Sequence, residues 1–312
     1  DILATRADNR TTTTASGTAI TNLMHSADPT ALATKYLEES RAALQNTNAT
    51  IRIVGFIATD DKPSVTYANA TRKTFNTTGF KYELKKVARL ALETEILAAN
   101  EDTTIHGIFI YFPVFNNQED NYLRNLVTYT KDIEAGGSYW TRKMSANDRS
   151  ATPGEIDKKA LVPCTPLAIV KILDDLGEYK NIKNSRVTIF NRSEVIGRPL
   201  AMMLSNDGAD VLSFDVNGPL RFEAGRPVET SFDRSKALSS SDFVITGVPS
   251  NSFHKIRNEE LKSNCIAVNF ASIPNFVDER PSRAKLFVPR VGPMTVAMCM
   301  RNSIRLYENF HQ

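Results

Sequence analysis

The sequence predicts an α/β fold made of two domains, each organised around a parallel sheet. Three observations carry this. Short β-forming runs alternate with helix-period segments through the first half of the chain, the pattern of a sheet covered by helices. Residues 186–215 (RVTIFNRSEVIGRPLAMMLSNDGADVLSFD) read as strand, polar turn, helix and strand, a βαβ crossover of about thirty residues. A length of 312 residues suits two domains of ordinary size.

Taken in order, TALATKYLEESRAALQ (30–45) has a helical period, and IRIVGFIA (51–58) reads as a buried strand. Ser64 opens a second helix that runs through Thr77 and closes on Gly79 as its C-cap. Residues 81–86 form a short strand and 87–99 a helix. IHGIFIYF (105–112) is a strand that stops at Pro113. Between 116 and 163 the pattern weakens, and Gly136-Gly137 with the polar stretch 145–157 suggests a loop or domain junction. Thr165 is expected to N-cap an apolar helix over 166–176, with Pro166 at its first position and Gly177 at its end. After the βαβ unit, DFVITGV (242–248) and CIAVNF (265–270) add two buried strands to the second sheet. An amphipathic helix over 295–310 is expected to fold back onto the first domain. No internal repeat is visible.

The βαβ unit carries the first chemical signal. Asn191, Arg192 and Ser193 sit at the carboxyl end of its first strand. Ile196 and Gly197, with Pro199, lie at the start of the helix, where backbone N–H groups and the helix dipole favour a pyrophosphate. Asp215 ends the second strand, where a carboxylate can accept hydrogen bonds from both ribose hydroxyls and repel a 2′-phosphate. Thr246, in the strand 242–248, is a further candidate contact. The reading is a Rossmann-type doubly wound domain that binds NAD in preference to NADP. The G-x-G-x-x-G fingerprint is absent, and only Gly197 remains of it. Arg192 leaves two roles open, a grip on a 2′-phosphate or a hold on the pyrophosphate.

Bulk properties narrow the classes. With 41% hydrophobic and 23% charged residues the chain is globular. A net charge of +3 is too small to argue for nucleic acid or an anionic membrane, and no stretch is long and apolar enough for a span. Cys164, Cys265 and Cys299 are widely spaced and odd in number, so neither a disulfide framework nor a zinc site is expected, and no metal is predicted. The reducing cytoplasm fits best. His25, His106, His254 and His311 form no ligand-spaced cluster. The Thr-rich amino end (1–19) is faintly like a transit peptide but holds Asp1 and Asp8 and no clear apolar run, so targeting is not expected. Sequons at Asn48, Asn69 and Asn76 are of the number a Thr-rich chain gives by chance.

Several short segments then occur in one joint order: Tyr67 with Thr71, Ile110-Tyr111-Phe112-Pro113, Val162-Pro163-Cys164-Thr165-Pro166, Asn191-Arg192-Ser193, Ile196-Gly197-Arg198-Pro199, and Val291-Gly292-Pro293-Met294-Thr295-Val296. In that order they resemble the methylenetetrahydrofolate dehydrogenase/cyclohydrolase family over nearly the whole chain. Tyr111-Phe112-Pro113-Val114-Phe115 and residues 164–173 are similar to its fungal monofunctional, NAD-dependent branch. The resemblance implies an N-terminal folate-binding domain over 1–158 with 290–312 packed back on it, an NAD domain over 159–289, a cleft between them, and a homodimer serving one-carbon metabolism such as purine biosynthesis. It carries Tyr67, Thr71 and Glu134 as the catalytic positions, and Tyr67, Tyr111, Glu134, Gly292 and Pro293 as folate contacts, the last two shaping a turn.

The departures from the bifunctional pattern are specific. Thr71 stands where those enzymes carry a lysine one helical turn after the tyrosine. Lys73, two residues beyond Thr71, is about 200° around the helix from it and points elsewhere. Tyr111 replaces a glutamine, Glu134 an aspartate within K-D-V-D-G, and Arg290 two glycines before the closing motif. Hydride removal from a methylene bridge needs stacked rings at near-attack distance and negative charge nearby, and no protein base. Hydrolysis of the methenyl product needs proton transfers that Thr71 cannot serve. The expected activity is oxidation of 5,10-methylenetetrahydrofolate with NAD, with cyclohydrolase activity lost. The alternatives are another two-domain NAD-dependent dehydrogenase, or a catalytically inactive folate- and NAD-binding module.

Overall fold

The computed structural model describes residues 26–312, so the readings of the amino end and of His25 fall outside the described residues. The described chain separates into two compact units. The first takes residues 29–179, 193–199 and 291–312, and the second 180–192 and 200–290 with the residues just before 29.

In the first unit α1 (Thr30–Thr47) leads to β1 (Arg52–Ile57), α2 (Lys62–Thr78), β2 (Lys81–Lys86), α3 (Leu92–Glu101) and β3 (Gly107–Ile110). The three strands form a parallel sheet in the order β2-β1-β3, as strand–helix alternation predicts. Side chains of β1 and β3 (Val54, Phe56, Ile108, Ile110) pack with Leu92, Ile96 and Leu123 in one buried cluster. Each such side chain gains roughly 1.5–3 kcal/mol on burial, which fixes the plane of the sheet. At the start of α2 the Asp61 carboxylate accepts from the Ser64 N–H (3.0 Å) and hydroxyl (2.8 Å). The helix therefore opens at Lys62, two residues before the sequence expectation. Gly79, at φ 121°, ends it as expected.

The weakly patterned region is ordered. It forms α4 (Gln118–Leu126), α5 (Ser138–Ser145) and a hairpin of β4 (Ser150–Thr152) and β5 (Glu155–Lys159). Trp140 on α5 is fully buried, with its indole N–H on the Tyr129 carbonyl at 3.0 Å. The following α6 spans Cys164–Asp175 with Pro163 at its N-cap and no side-chain cap. Thr165 is thus inside the first turn and does not cap it. The last helix, Gly292–Phe310, packs on α1 and α6. It starts earlier than expected, so Gly292 and Pro293 form its first turn.

The second unit holds β6 (Arg186–Phe190), α7 (Gly197–Asn206, whose first residues belong to the first unit), β7 (Asp210–Asp215), β8 (Gly218–Glu223), β9 (Arg226–Glu229), α8 (Arg234–Ser240), β10 (Phe243–Thr246), β11 (Cys265–Asn269) and β12 (Ala284–Val288). Its seven-stranded sheet runs β12-β11-β10-β6-β7-β8-β9, parallel from β12 to β7 and antiparallel beyond. The order reverses between β6 and β10, and the carboxyl ends of strands at such a switch point are where open α/β sheets bind ligands. The β8–β9 hairpin, β12 and α8 add to the elements expected from the sequence.

Candidate active site

In the first unit a cavity of about 250 Å³ opens at the carboxyl end of β3, beside the first turns of α2. Tyr67, Tyr111 and Glu134 all line it, together with Arg124, Asp132 and Thr295. Tyr67 sits in the second turn of α2 with 41% of its surface exposed, and its ring meets that of Tyr111 edge-on at 6.0 Å. Thr71, one turn further, is buried at 2% exposure behind the two tyrosines. Its hydroxyl lies beside theirs but meets no partner at hydrogen-bonding geometry. Lys73 is exposed and does not line the cavity, and no lysine or histidine does.

Glu134 is held by its backbone. Residues just before it lie beside β3, with the Ile108 N–H on the Lys131 carbonyl at 2.7 Å. The buried Lys131 ammonium donates to the carbonyls of Ala99, Asn100 and Asp102 at 2.7–2.9 Å. From the other side the Cys164 N–H donates to the Glu134 carbonyl (3.2 Å), and the Asn302 amide to those of Ile133 (3.1 Å) and Val162 (3.0 Å). Asp132 is buried and accepts from the Gly137 N–H at 2.8 Å. Burial pushes the Asp132 carboxyl up to about 6, against the pull of the 135–137 N–H groups. Burial, then the Asp132 charge, pushes Glu134 up to about 8, opposed by the Arg124 guanidinium. Arg124 itself lies over the Phe112 ring at 4.4 Å. The cavity therefore offers aromatic faces and a half-buried carboxyl whose charge is poorly solvated, an environment that rewards a flat ligand bearing N–H donors.

The loop after β3 is pinned in turn. The Asp120 carboxylate accepts from the N–H groups of Val114, Phe115 (2.7 Å) and Asn116 (3.0 Å). Arg124, Asp132 and Thr295 were missed by sequence reasoning. Arg124 lies on α4 in the weakly patterned region. Thr295 lies within the closing motif 291–296 with no signal of its own, and its hydroxyl is 3.4 Å from that of Thr165, which also lines the cavity. Gly292 and Pro293 are not among the lining residues. Cys164 is buried with its thiol on the Ile133 carbonyl at 3.3 Å.

In the second unit the candidate cofactor residues cluster at the β6/β10 switch point. The Asn191 amide donates to the Gly247 carbonyl at 2.7 Å, tying the two strand ends together. Gly247 admits no side chain, because a Cβ there would lie 1.8 Å from the Phe270 ring. The Arg192 guanidinium donates to the carbonyls of Ser213 (2.9 Å) and Gly218 (3.0 Å) and pairs with Asp215 at 2.5 Å. Arg192 is thus committed to the β7–β8 corner, and Asp215 keeps a half-buried carboxylate at the end of β7. That placement fits a dinucleotide bound at the switch point through its ribose hydroxyls. Thr246 is fully buried with its hydroxyl on Asn275 (2.7 Å), so it supports the strand end and presents no side chain to a ligand. Ser193, Ile196 and Gly197 belong to the first unit, where the Ser193 hydroxyl accepts from the Ile196 (3.2 Å) and Gly197 (3.4 Å) N–H groups. Among the described residues no cluster could hold a metal ion, and no helix is long and apolar enough to cross a membrane.

Comparison with known proteins identifies the family. Residues 27–134 match the family model for the tetrahydrofolate dehydrogenase/cyclohydrolase catalytic domain, and 163–224 that for its NAD(P)-binding domain. A methylenetetrahydrofolate dehydrogenase [NAD(+)] of Dictyostelium discoideum is 39% identical over 295 residues, spanning 90% of this chain and 94% of that protein. The enzyme of the same description from Saccharomyces cerevisiae is 40% identical over 277 residues, 82% of this chain and 86% of its own. The solved NAD-dependent 5,10-methylenetetrahydrofolate dehydrogenase from Saccharomyces cerevisiae superposes with a TM-score of 0.85 at 34% identity, covering 92% of this chain and 98% of that one. Two matched domains, near-complete coverage and a cavity lined by Tyr67, Tyr111 and Glu134 place this chain in the tetrahydrofolate dehydrogenase/cyclohydrolase family.

Proposed function

We propose that the chain oxidises 5,10-methylenetetrahydrofolate to 5,10-methenyltetrahydrofolate with NAD. The observation that carries this is the enclosed Glu134 carboxyl facing the aromatic wall of Tyr67 and Tyr111 in a protein of this family. Tyr67 offers its ring to the flat part of the folate, and Glu134 accepts hydrogen bonds from pterin N–H groups, which ionises it and puts negative charge near the reacting carbon. Bound NAD supplies the acceptor for the hydride. As the C–H bond breaks, the folate nitrogens share the positive charge of the product, so no residue has to take a proton. The work of the protein is orientation and electrostatics. In this reading residues 1–158 with 290–312 serve the folate, joined by Thr165 at the start of α6, and the remainder of 159–289 serves NAD, with Asp215 setting the preference for NAD.

Cyclohydrolase activity is absent or weak in this reading. Thr71 is neutral and buried, and no lysine or histidine lines the cavity to move protons for water. The three described cysteines are free and buried, in keeping with a reducing, cytoplasmic setting. The family resemblance also supports a homodimer, which a mass measurement in solution tests. For the activity itself, purified protein is given methylenetetrahydrofolate with NAD or NADP. NADH formation that depends on folate and is slow with NADP is expected. Binding of both ligands without turnover, or oxidation of an unrelated substrate without folate, would overturn it.

A further inference from the structure

We infer that Tyr82, outside the cavity, is a positioning residue that holds the Tyr111 hydroxyl as a hydrogen-bond donor towards the bound folate. The inference rests on the folate reading above and adds a residue to it. Tyr82 stands on β2, its ring buried at 5% exposure, and its hydroxyl is 2.7 Å from that of Tyr111. The surroundings are shaped for it. On the neighbouring β1, Gly55 has no side chain, and a Cβ there would lie 2.2 Å from the Tyr82 hydroxyl. The Asn76 side chain clamps the Tyr82 backbone from both sides, accepting from its N–H at 2.8 Å and donating to its carbonyl at 3.1 Å. The Phe75 ring backs it at 4.9 Å.

The proton direction follows from the surroundings. Each hydroxyl forms its one well-formed side-chain hydrogen bond with the other, so one proton lies between them and one is left over. If Tyr111 were the donor, the leftover proton would sit on Tyr82, sealed in with no acceptor, and a desolvated donor is costly. If Tyr82 donates, the leftover proton sits on Tyr111, which lines the cavity beside the unpartnered Thr71 hydroxyl. The second arrangement leaves nothing stranded once an acceptor on the folate ring system arrives. A tyrosine hydroxyl has two in-plane positions, and Tyr82 selects the one that faces the ligand.

The test is a double-mutant cycle on methylenetetrahydrofolate oxidation with Tyr82→Phe, Tyr111→Phe and both. Tyr82→Phe is expected to raise the KM for folate about 5- to 10-fold, the worth of one neutral hydrogen bond. The KM for NAD should stay unchanged, a split that general loosening would not give. The double variant should be no worse than Tyr111→Phe alone. Placing 4-aminophenylalanine at 82 restores a donor in the same shape and should recover the folate KM, also if Tyr82→Phe proves unstable. Losses that multiply in the double variant, a Tyr82→Phe enzyme like the wild type, or no recovery with the amino analogue would each overturn the inference. Should the unmutated protein fail to turn over, the function reading has failed. The same cycle read by calorimetry on tetrahydrofolate binding then tests Tyr82 separately.

Discussion

Replacing Glu134 by glutamine probes the carboxyl on which the site depends. Burial and the neighbouring Asp132 lift Glu134 from 4.5 to about 8. A carboxyl with a folded pKa above its unfolded value holds its proton more tightly in the folded chain. Its contribution to stability is therefore full below its unfolded pKa and is lost as pH rises through about 8. At about 1.4 kcal/mol per pKa unit the displacement sets a ceiling of roughly 5 kcal/mol. Access through the cavity and proton sharing with Asp132 reduce it to about 2–3 kcal/mol. With about 2–4 °C of melting temperature per kcal/mol, ligand-free wild type should lose roughly 5–10 °C more than Glu134→Gln between about pH 4.5 and about pH 9. Thermal scans of both proteins across that range read the difference directly. Parallel curves would refute the reasoning, since they would mean that the charge is solvated and the cavity is not the dry enclosure described.

Two further outcomes follow from the second unit. Asp215→Ser removes the charge that repels a 2′-phosphate and releases the Arg192 guanidinium. The ratio of kcat/KM for NADP to that for NAD should rise about tenfold or more, and the rise should vanish in Asp215→Ser with Arg192→Ala. Steady-state assays with both nucleotides check this. Gly247→Ala forces a methyl into the Phe270 ring and disturbs the Asn191 contact that ties β6 to β10. A loss of roughly 1–3 kcal/mol and a weakened hold on NAD are expected, read from denaturant unfolding and NAD titration. A wild-type midpoint would contradict the close packing.

Much of the fold was legible because its signals are local. IRIVGFIA could only be a buried strand, and the 186–215 segment carried its own strand, turn and helix. Residues 116–163 were not, because α4 and α5 are short and polar and order themselves through distant partners such as Asn100 on the Leu126 carbonyl and Phe310 against the Trp140 ring. The β9 strand is exposed along its whole length and so shows no apolar alternation. At the site, Tyr67 and Tyr111 stand in the joint order of motifs and Glu134 follows only from the resemblance that order supports; all three line one cavity. The Tyr82–Tyr111 pair joins positions 29 apart with nothing local to mark it. Arg192 was ambiguous in sequence because its role is set by which acceptors surround it, and these are Asp215 and two backbone carbonyls.

The most direct measurement follows both one-carbon steps in a single reaction, NADH formation and the fate of methenyltetrahydrofolate. With orientation and charge lowering the barrier and no lysine or histidine in the cavity to serve the hydrolytic step, NADH should appear while the methenyl product accumulates, decaying no faster than in buffer alone. Enzyme-driven opening of that product at a rate near hydride transfer, or the absence of NADH, would contradict the account.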